Sequence, residues 1–364
     1  GKNHIAAISF GGAPMDFSFE KNVGAILHMY LGGQAVGESV ADLISGEVNP
    51  SGKLAETIPL SEKDTPAWRY FAPPNDDVEY RESIFVGYRY YETFHVPVKY
   101  PFGYGLSYTS FSYSELNVPE VYSGGKIQIR FKIKNIGKVS GAEIAQLYIC
   151  PIESDVIRSH IELKGFQKIY LHPGEEKEVI LELDERSFSV YDVEKKAFSM
   201  LSGKYQICIG ASVHDLQLKA NIEVVGNSYF RNERELFPDY FREQPHGMEI
   251  SAEQFYQLLG GEPKHDKEKK RGEYTVYDSY QDVVNVSMFG KFVRGIVHIG
   301  LKIMLRGKSE RDPAFKMVKM GVEEGNLEGL IATSGGIATP KLIDMLVYNA
   351  NKKYLQAFKR LLKK

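Results

Sequence analysis

Two cysteines in 364 residues, Cys150 and Cys208, are too few for a disulfide framework or a Cys-rich metal site. They fall in separate strand-like segments and read as free, partly buried thiols of a reducing, cytoplasmic compartment. No run reaches the roughly 18 consecutive apolar residues that a membrane-spanning helix needs, and no signal-peptide pattern opens the chain. Charge of one sign is also missing. The 45 Lys and Arg against 47 Asp and Glu leave a net charge of -2, so there is no global field to draw nucleic acid, and none is expected as a partner. No His cluster stands at metal-ligand spacing, so neither a metal nor another cofactor is expected. What remains, with 43% hydrophobic residues, is a globular chain long enough for two or three domains.

The chain opens on Gly1 and enters the apolar run Ile5-Ala6-Ala7-Ile8-Ser9-Phe10 at once, which reads as a buried strand and suggests processing or proteolysis upstream. A turn at Gly11-Gly12-Ala13-Pro14 follows. The stripe Ile26, Leu27, Tyr30, Leu31, Val40, Leu43, Ile44 then predicts one helix from Val23 to Ile44, ending near Gly46. A lone β-α unit cannot complete a parallel sheet, so the rest of that sheet is expected from elsewhere.

From Phe111 to Val225 the pattern changes to short alternating strands. Lys126–Lys134, Glu178–Leu183 and Tyr205–Ile209 alternate strictly, and turn signals sit at Asn135-Ile136-Gly137, His172-Pro173-Gly174 and Leu201-Ser202-Gly203. This predicts a complete antiparallel β-sandwich. After Gly226 come a polar, aromatic connector and the charge run Lys264–Arg271, read as a solvated linker. Helices are expected over Val283–Leu305, Asp312–Met320 and Pro340–Leu362. The first places Phe289, Phe292, Val293, Ile296, Val297 and Leu301 on one side, with Lys291, Arg294, Lys302 and Arg306 around them. Such a basic amphipathic helix can lie on a membrane. Gly290, Gly295 and Gly300 instead suit close packing on the chain's own surface, so membrane association is not expected.

Three segments carry a family resemblance. The run Leu31-Gly32-Gly33-Gln34-Ala35-Val36-Gly37-Glu38-Ser39-Val40-Ala41-Asp42-Leu43-Ile44, with Gly46–Leu54 after it, resembles a helix and turn in the α/β sandwich domain of family 3 glycoside hydrolases. Val78–Glu92 and Tyr100-Pro101-Phe102-Gly103-Tyr104-Gly105-Leu106-Ser107-Tyr108-Thr109 are similar to segments leading from that domain into the family's fibronectin type III-like domain. Gly137–Ile149, Glu162–Phe166 and Pro173–Glu175 resemble the latter domain, and the tail from about Gln254 resembles an extension of some bacterial members. The fold class implied is multidomain: a partial α/β sandwich (1–108), an all-β immunoglobulin-like sandwich (109–226), a connector (227–282) and an α-helical extension (283–364).

The resemblance implies a retaining, β-glucosidase-type activity on a β-glucoside or oligosaccharide. In that family an Asp nucleophile forms a glycosyl-enzyme and a Glu serves as acid, then base. Neither carboxylate motif is present, so both are expected on a missing N-terminal part or on a second chain carrying the (β/α) barrel and the rest of the α/β sandwich. Glu82 is the one carboxylate of this chain weighed as a substitute. It stands among Tyr80, Arg81 and Tyr88, and Arg81 is expected to pair with it and hold it ionised, which does not suit a general acid. Tyr80, Arg81, Glu82 and Trp68 are the candidate substrate contacts. Trp68 could stack on a sugar but is expected to pack under its own loop. Glu38 reads as a capping or packing residue and Asp76-Asp77 as an exposed turn. The alternative function is a non-catalytic carbohydrate-binding or scaffolding module built on the sandwich.

Overall fold

The structure, a computed structural model, describes residues 4–71, 78–226, 232–262, 269–305 and 312–362. Asp76 and Asp77 lie outside the described residues, as does most of the charge run. The chain divides into two compact units, residues 1–263 and 264–364.

In the first unit β1 (Ala6–Ser9) pairs in parallel with β2 (Ala25–His28), in register from Ala6↔Ala25 to Ser9↔His28. Helix α1 (Val36–Ser45) follows. The single helix expected over 23–44 is thus a strand and a shorter helix. Ala25–His28 has a ladder partner within reach, and Tyr30 and Gly33, at φ 50° and 69°, interrupt any helical run between them. At Gly32 a Cβ would stand 2.4 Å from Val36 Cγ2, so only glycine lets the chain turn this tightly into α1. Gly46 ends α1 in the left-handed region, as the sequence predicts.

This sheet is thinly covered. Parallel strands are ordinarily buried on both faces. Here Ile5 and Phe10 are about half exposed, at 52% and 51%, and α1 buries no residue.

The unit continues through β3 (Ile58–Pro59), α2 (Tyr88–Thr93) and β4 (Val98–Tyr100), with β3 and β4 antiparallel. The sandwich then runs from β5 (Phe111–Asn117) and β6 (Val121–Tyr122) through β7 (Ile127–Asn135), β8 (Gly141–Pro151), β9 (Glu162–Leu171) and β10 (Glu176–Leu183). A hairpin of β11 (Ser189–Asp192) and β12 (Ala197–Met200) precedes β13 (Gly203–Gly210) and β14 (Leu216–Val224). One sheet has the order β10-β7-β5 and the other β6-β14-β13-β8-β9. Alternation along β7 sends Ile129, Phe131 and Ile133 inward, where they share a core with Leu147, Ile149, Ile207 and Ile209. Burying each such side chain contributes about 1.5–3 kcal/mol. Cys150 and Cys208, on adjacent β8 and β13, are buried free thiols with Sγ atoms 3.8 Å apart.

The polar, aromatic connector expected after the sandwich folds back onto the first unit. It forms α3 (Glu233–Leu236) and α4 (Ala252–Leu259), and Phe237, Tyr240, Met248 and Ile250 are buried in one cluster with Phe85, Tyr90, Tyr91 and Val96. Residues 232–262 therefore complete the packing of the first unit.

The second unit contains α5 (Tyr280–Asn285), α6 (Met288–Met304), α7 (Pro313–Glu323), α8 (Leu327–Thr333), α9 (Pro340–Ala350) and α10 (Tyr354–Leu362). Val283, Val284, Val293, Leu327, Ile343 and Leu346 form its core. Two of the expected helices are each broken in two. Ser287 caps α6 by accepting the Gly290 N–H at 2.9 Å, and a Cβ on Gly290 would meet the Val284 carbonyl at 2.4 Å. Lys352, at φ 60°, separates α9 from α10. Of the charge run, Lys269 pairs with Asp278, and Arg271 donates to the carbonyls of Ala350 and Asn349. These basic side chains are therefore anchored at one end while remaining exposed to solvent, as the sequence reading expects.

Candidate functional site

The Asn-Pro-Ser-Gly turn and the Tyr100–Thr109 segment form a joint with the sandwich. Asn49 Nδ2 donates to the Ser140 carbonyl at 3.0 Å, while its Oδ1 accepts from Ser107 Oγ and the Tyr108 N–H. Lys53 Nζ reaches the Gly105 carbonyl and Glu143 Oε1, each at 3.0 Å. A Cβ on Gly105 would stand 2.3 Å from the Gly52 carbonyl, and one on Gly141 2.5 Å from Asn49 Nδ2. Residues far apart in sequence thus lock the α/β part to the sandwich by close backbone approach.

Candidate binding chemistry lies elsewhere, on residues 61–71 and 78–82 and on the returning stretch of chain at 244–256. Ser61 accepts the Lys63 N–H and starts a short helical turn at Glu62–Asp64. Beyond it a hollow of about 460 Å³ is lined by Ser61, Lys63, Asp64, Trp68, Arg69 and His246. Asp64 Oδ1 and His246 Nδ1 are 3.2 Å apart in its lining. Gly247, at φ 73°, lets the returning chain pass close to the loop, where a Cβ would lie 3.1 Å from the Thr65 carbonyl. Contrary to expectation, Trp68 is not packed under its loop. It is 41% exposed and presents an aromatic surface beside charged and hydroxyl groups.

The loop is pinned from behind. The Met248 N–H donates to the Pro66 carbonyl at 3.1 Å, and the Tyr70 hydroxyl donates to the Ile250 carbonyl while accepting the Ile250 N–H, each at 2.9 Å. Deeper in, the Tyr90 hydroxyl donates to the Gln244 carbonyl at 2.7 Å and accepts the Gly247 N–H at 3.0 Å. Burial pushes the Tyr90 hydroxyl up to about 12, so it stays a donor throughout the physiological range.

The expected Arg81–Glu82 pair is not formed. Arg81 Nε donates to Glu79 Oε2 at 2.6 Å, NH1 donates to the Ile250 carbonyl at 2.8 Å, and the guanidinium lies over the Tyr70 ring, 4.4 Å from its centroid. Glu79 Oε1 also accepts from the Tyr256 hydroxyl at 2.8 Å. Glu82 is only 5% exposed, and its Oε2 has no hydrogen-bond partner among the described residues. Burial raises its carboxyl above the ordinary glutamate range, opposite to the effect an Arg81 partner would have. Tyr80 is 71% exposed.

The structure therefore places Trp68 and Tyr80 at the surface and encloses Arg81 and Glu82. Lys63, Asp64, Arg69 and His246 were not singled out from the sequence. His246 lies far along the chain, and no local pattern announces its return to the loop. Among the described residues no group of three or more His, Cys, Asp or Glu could hold a metal ion.

A parallel β-α layer fastened to an antiparallel sandwich of the immunoglobulin-like class makes the first unit a multidomain assembly. Residues 1–108 match the glycosyl hydrolase family 3 C-terminal domain and residues 143–213 the fibronectin type III-like domain. Over these residues the chain carries the C-terminal domains found in family 3 glycoside hydrolases. It is 44% identical over 225 residues to thermostable beta-glucosidase B of Acetivibrio thermocellus, matching 61% of this chain and 30% of that protein. It is 37% identical over 226 residues to an exo-alpha-(1->6)-L-arabinopyranosidase of Bifidobacterium breve, matching 62% of this chain and 30% of that one. The crystal structure of a Bifidobacterium adolescentis GH3 beta-glucosidase aligns with a TM-score of 0.60 at 35% identity, over 63% of this chain and 34% of the other. Beta-glucosidase 3B from Thermotoga neapolitana, in complex with alpha-D-glucose, aligns at 0.58 and 36% identity, over 62% and 32%. The chain thus spans about 30% of the length of the curated relatives it matches.

Proposed function

We propose that this chain is the C-terminal portion of a retaining β-glycosidase acting on terminal, non-reducing β-D-glycosyl residues. The nucleophilic Asp and acid/base Glu belong, on this reading, to a preceding part of the same protein or to a partner chain bearing the barrel. The observation that carries it is the open β1–β2 layer, with Ile5, Ile8 and Phe10 exposed, within a segment matching the family's C-terminal domain. Exposed apolar side chains on a parallel sheet gain about 25 cal/mol per Å² when covered, which favours completion by the missing strands and helices. Trp68 and Tyr80 serve as rim surfaces for the sugar, and Arg81 holds their loop in place. The buried, unbridged thiols support a reducing, cytoplasmic setting.

Chemistry then needs two carboxylates about 5 Å apart, one attacking the anomeric carbon and one protonating the leaving oxygen. Glu82 does not supply the second while enclosed as it is. The test is reconstitution. The chain alone should give no turnover of an aryl β-glucoside, and adding a polypeptide that carries the barrel and the first half of the α/β layer should restore it. Full turnover by the chain alone would end this reading.

A further inference from the structure

The sequence reading put the apolar residues of α6 on one side, packed on the chain's own surface. The structure shows two apolar faces. Phe289, Val293 and Val297 turn inward to the core of the helical unit. Met288, Phe292, Ile296, Ile299 and Ile303 are 90%, 65%, 55%, 60% and 69% exposed. At about 100° per residue these five fall within an arc of about 80°, a continuous stripe along a helix about 25 Å long. Of the three glycines, only Gly290 makes a close approach. A Cβ on Gly295 or Gly300 meets nothing within 4 Å, so no neighbouring element rests against them.

The charge beside that stripe has one sign. Between Asp282 and Glu310 the sequence contains no Asp or Glu, but it contains Lys291, Arg294, Lys302, Arg306 and Lys308. On the helix, Lys291 and Lys302 border the apolar stripe, with His298 between them. Arg294 turns away and donates to Asn285 Oδ1 at 2.6 Å. This polarity is local, since the whole chain is nearly neutral.

We propose that the outer face of α6 is a docking surface for an anionic phospholipid bilayer, with the helix lying in the plane of the headgroups. No described helix is long and apolar enough to cross a membrane, so the mode is peripheral. Large apolar side chains in a narrow stripe enter the acyl boundary while the bordering lysines meet lipid phosphates. A second copy fits less well. Antiparallel pairing of two such stripes would set the lysines of one against those of the other, with no carboxylate on α6 to offset them. The inference stands on the helical unit alone and is independent of the glycosidase reading.

The experiment is co-sedimentation of the full chain with vesicles of one part phosphatidylglycerol to two parts phosphatidylcholine, and with phosphatidylcholine alone. The chain should pellet with the first and not the second, and should be released as salt is raised. Ile299→Glu should abolish pelleting, and Lys291→Ala and Lys302→Ala should each weaken partitioning about fivefold. Should Ile299→Glu lose helicity by circular dichroism, the lysine variants and the salt series decide. The proposal is overturned by no pelleting with anionic vesicles, or by pelleting indifferent to these variants and to salt. Sedimentation velocity showing a dimer that Ile299→Glu converts to monomer would overturn it too, by giving the face to a second copy.

Discussion

Lys53 Nζ lies 3.0 Å from Glu143 Oε1 at the seam between the α/β part and the sandwich, with only 11% and 7% of the two side chains exposed. The pair is framed by Asn49 bridging Ser107, Tyr108 and Ser140, and by Gly105 and Gly141, whose Cβ would collide with the Gly52 carbonyl and the Asn49 side chain. The family's signature motifs thus act mainly on packing. They hold the α/β part against the sandwich.

Lys53→Met should cost about 3–5 kcal/mol near pH 7, because it strands a buried carboxylate. Burial already raises the Glu143 carboxyl above its ordinary range, and Lys53 opposes that shift, so removing the lysine raises it further. A carboxyl raised in the folded state costs stability where the unfolded chain is ionised. The deficit should therefore be full above the folded pKa and close as pH falls toward the unfolded value. Denaturant unfolding of both proteins across that acid range measures it, and a deficit independent of pH would count against the assignment.

Tyr90→Phe should destabilise the first unit by about 1–3 kcal/mol, since it leaves the Gln244 carbonyl and the Gly247 N–H buried without their partner. The loss should concentrate at the return of residues 232–262 onto the loop. Limited proteolysis would show it as faster cleavage after the sandwich, with the sandwich fragment itself persisting.

The sandwich was legible because residues such as Ile129, Phe131 and Ile133 alternate with charged neighbours, a period only a half-buried strand explains. Strand β2 was not. Its four residues fit a helical stripe as well as a ladder, and only the parallel partner β1 decides between them. The burial of Phe237, Tyr240, Met248 and Ile250 was hidden for a different reason. They follow neither period, and their partners Phe85, Tyr90 and Tyr91 lie about 150 residues away in sequence. The Arg81 error is local geometry. Arg81 enters a turn closed by the Ser83 N–H on the Tyr80 carbonyl and reaches back to Glu79, whereas Glu82, one residue on in that turn, is buried.

Glu82→Gln should leave the fold at least as stable as the parent near neutral pH. The parent carries a buried carboxyl whose pKa burial has raised, so its stability falls as pH rises from the unfolded value through the folded one. The glutamine variant escapes that loss. Its advantage, about 1 kcal/mol, should vanish at low pH. Thermal unfolding across the acid range reads it directly. A variant less stable than the parent at every pH would restore the idea of a paired, ionised Glu82.

Trp68 is the only tryptophan, so the emission of the chain reports its hollow without interference. In the reconstituted enzyme, an oligosaccharide whose ring stacks there should shift or quench that emission with the same concentration dependence as turnover. Trp68→Ala should raise KM about two- to tenfold, the worth of one aromatic contact beyond area burial, with kcat little changed. That split follows because a rim contact binds ground state and transition state alike. The Asp64–His246 pair, 3.2 Å apart in the same lining, should tolerate the substitution, since it is held by its own contact. An unchanged KM together with emission indifferent to sugar would remove Trp68 from the substrate path and leave it as an exposed ring on a well-pinned loop.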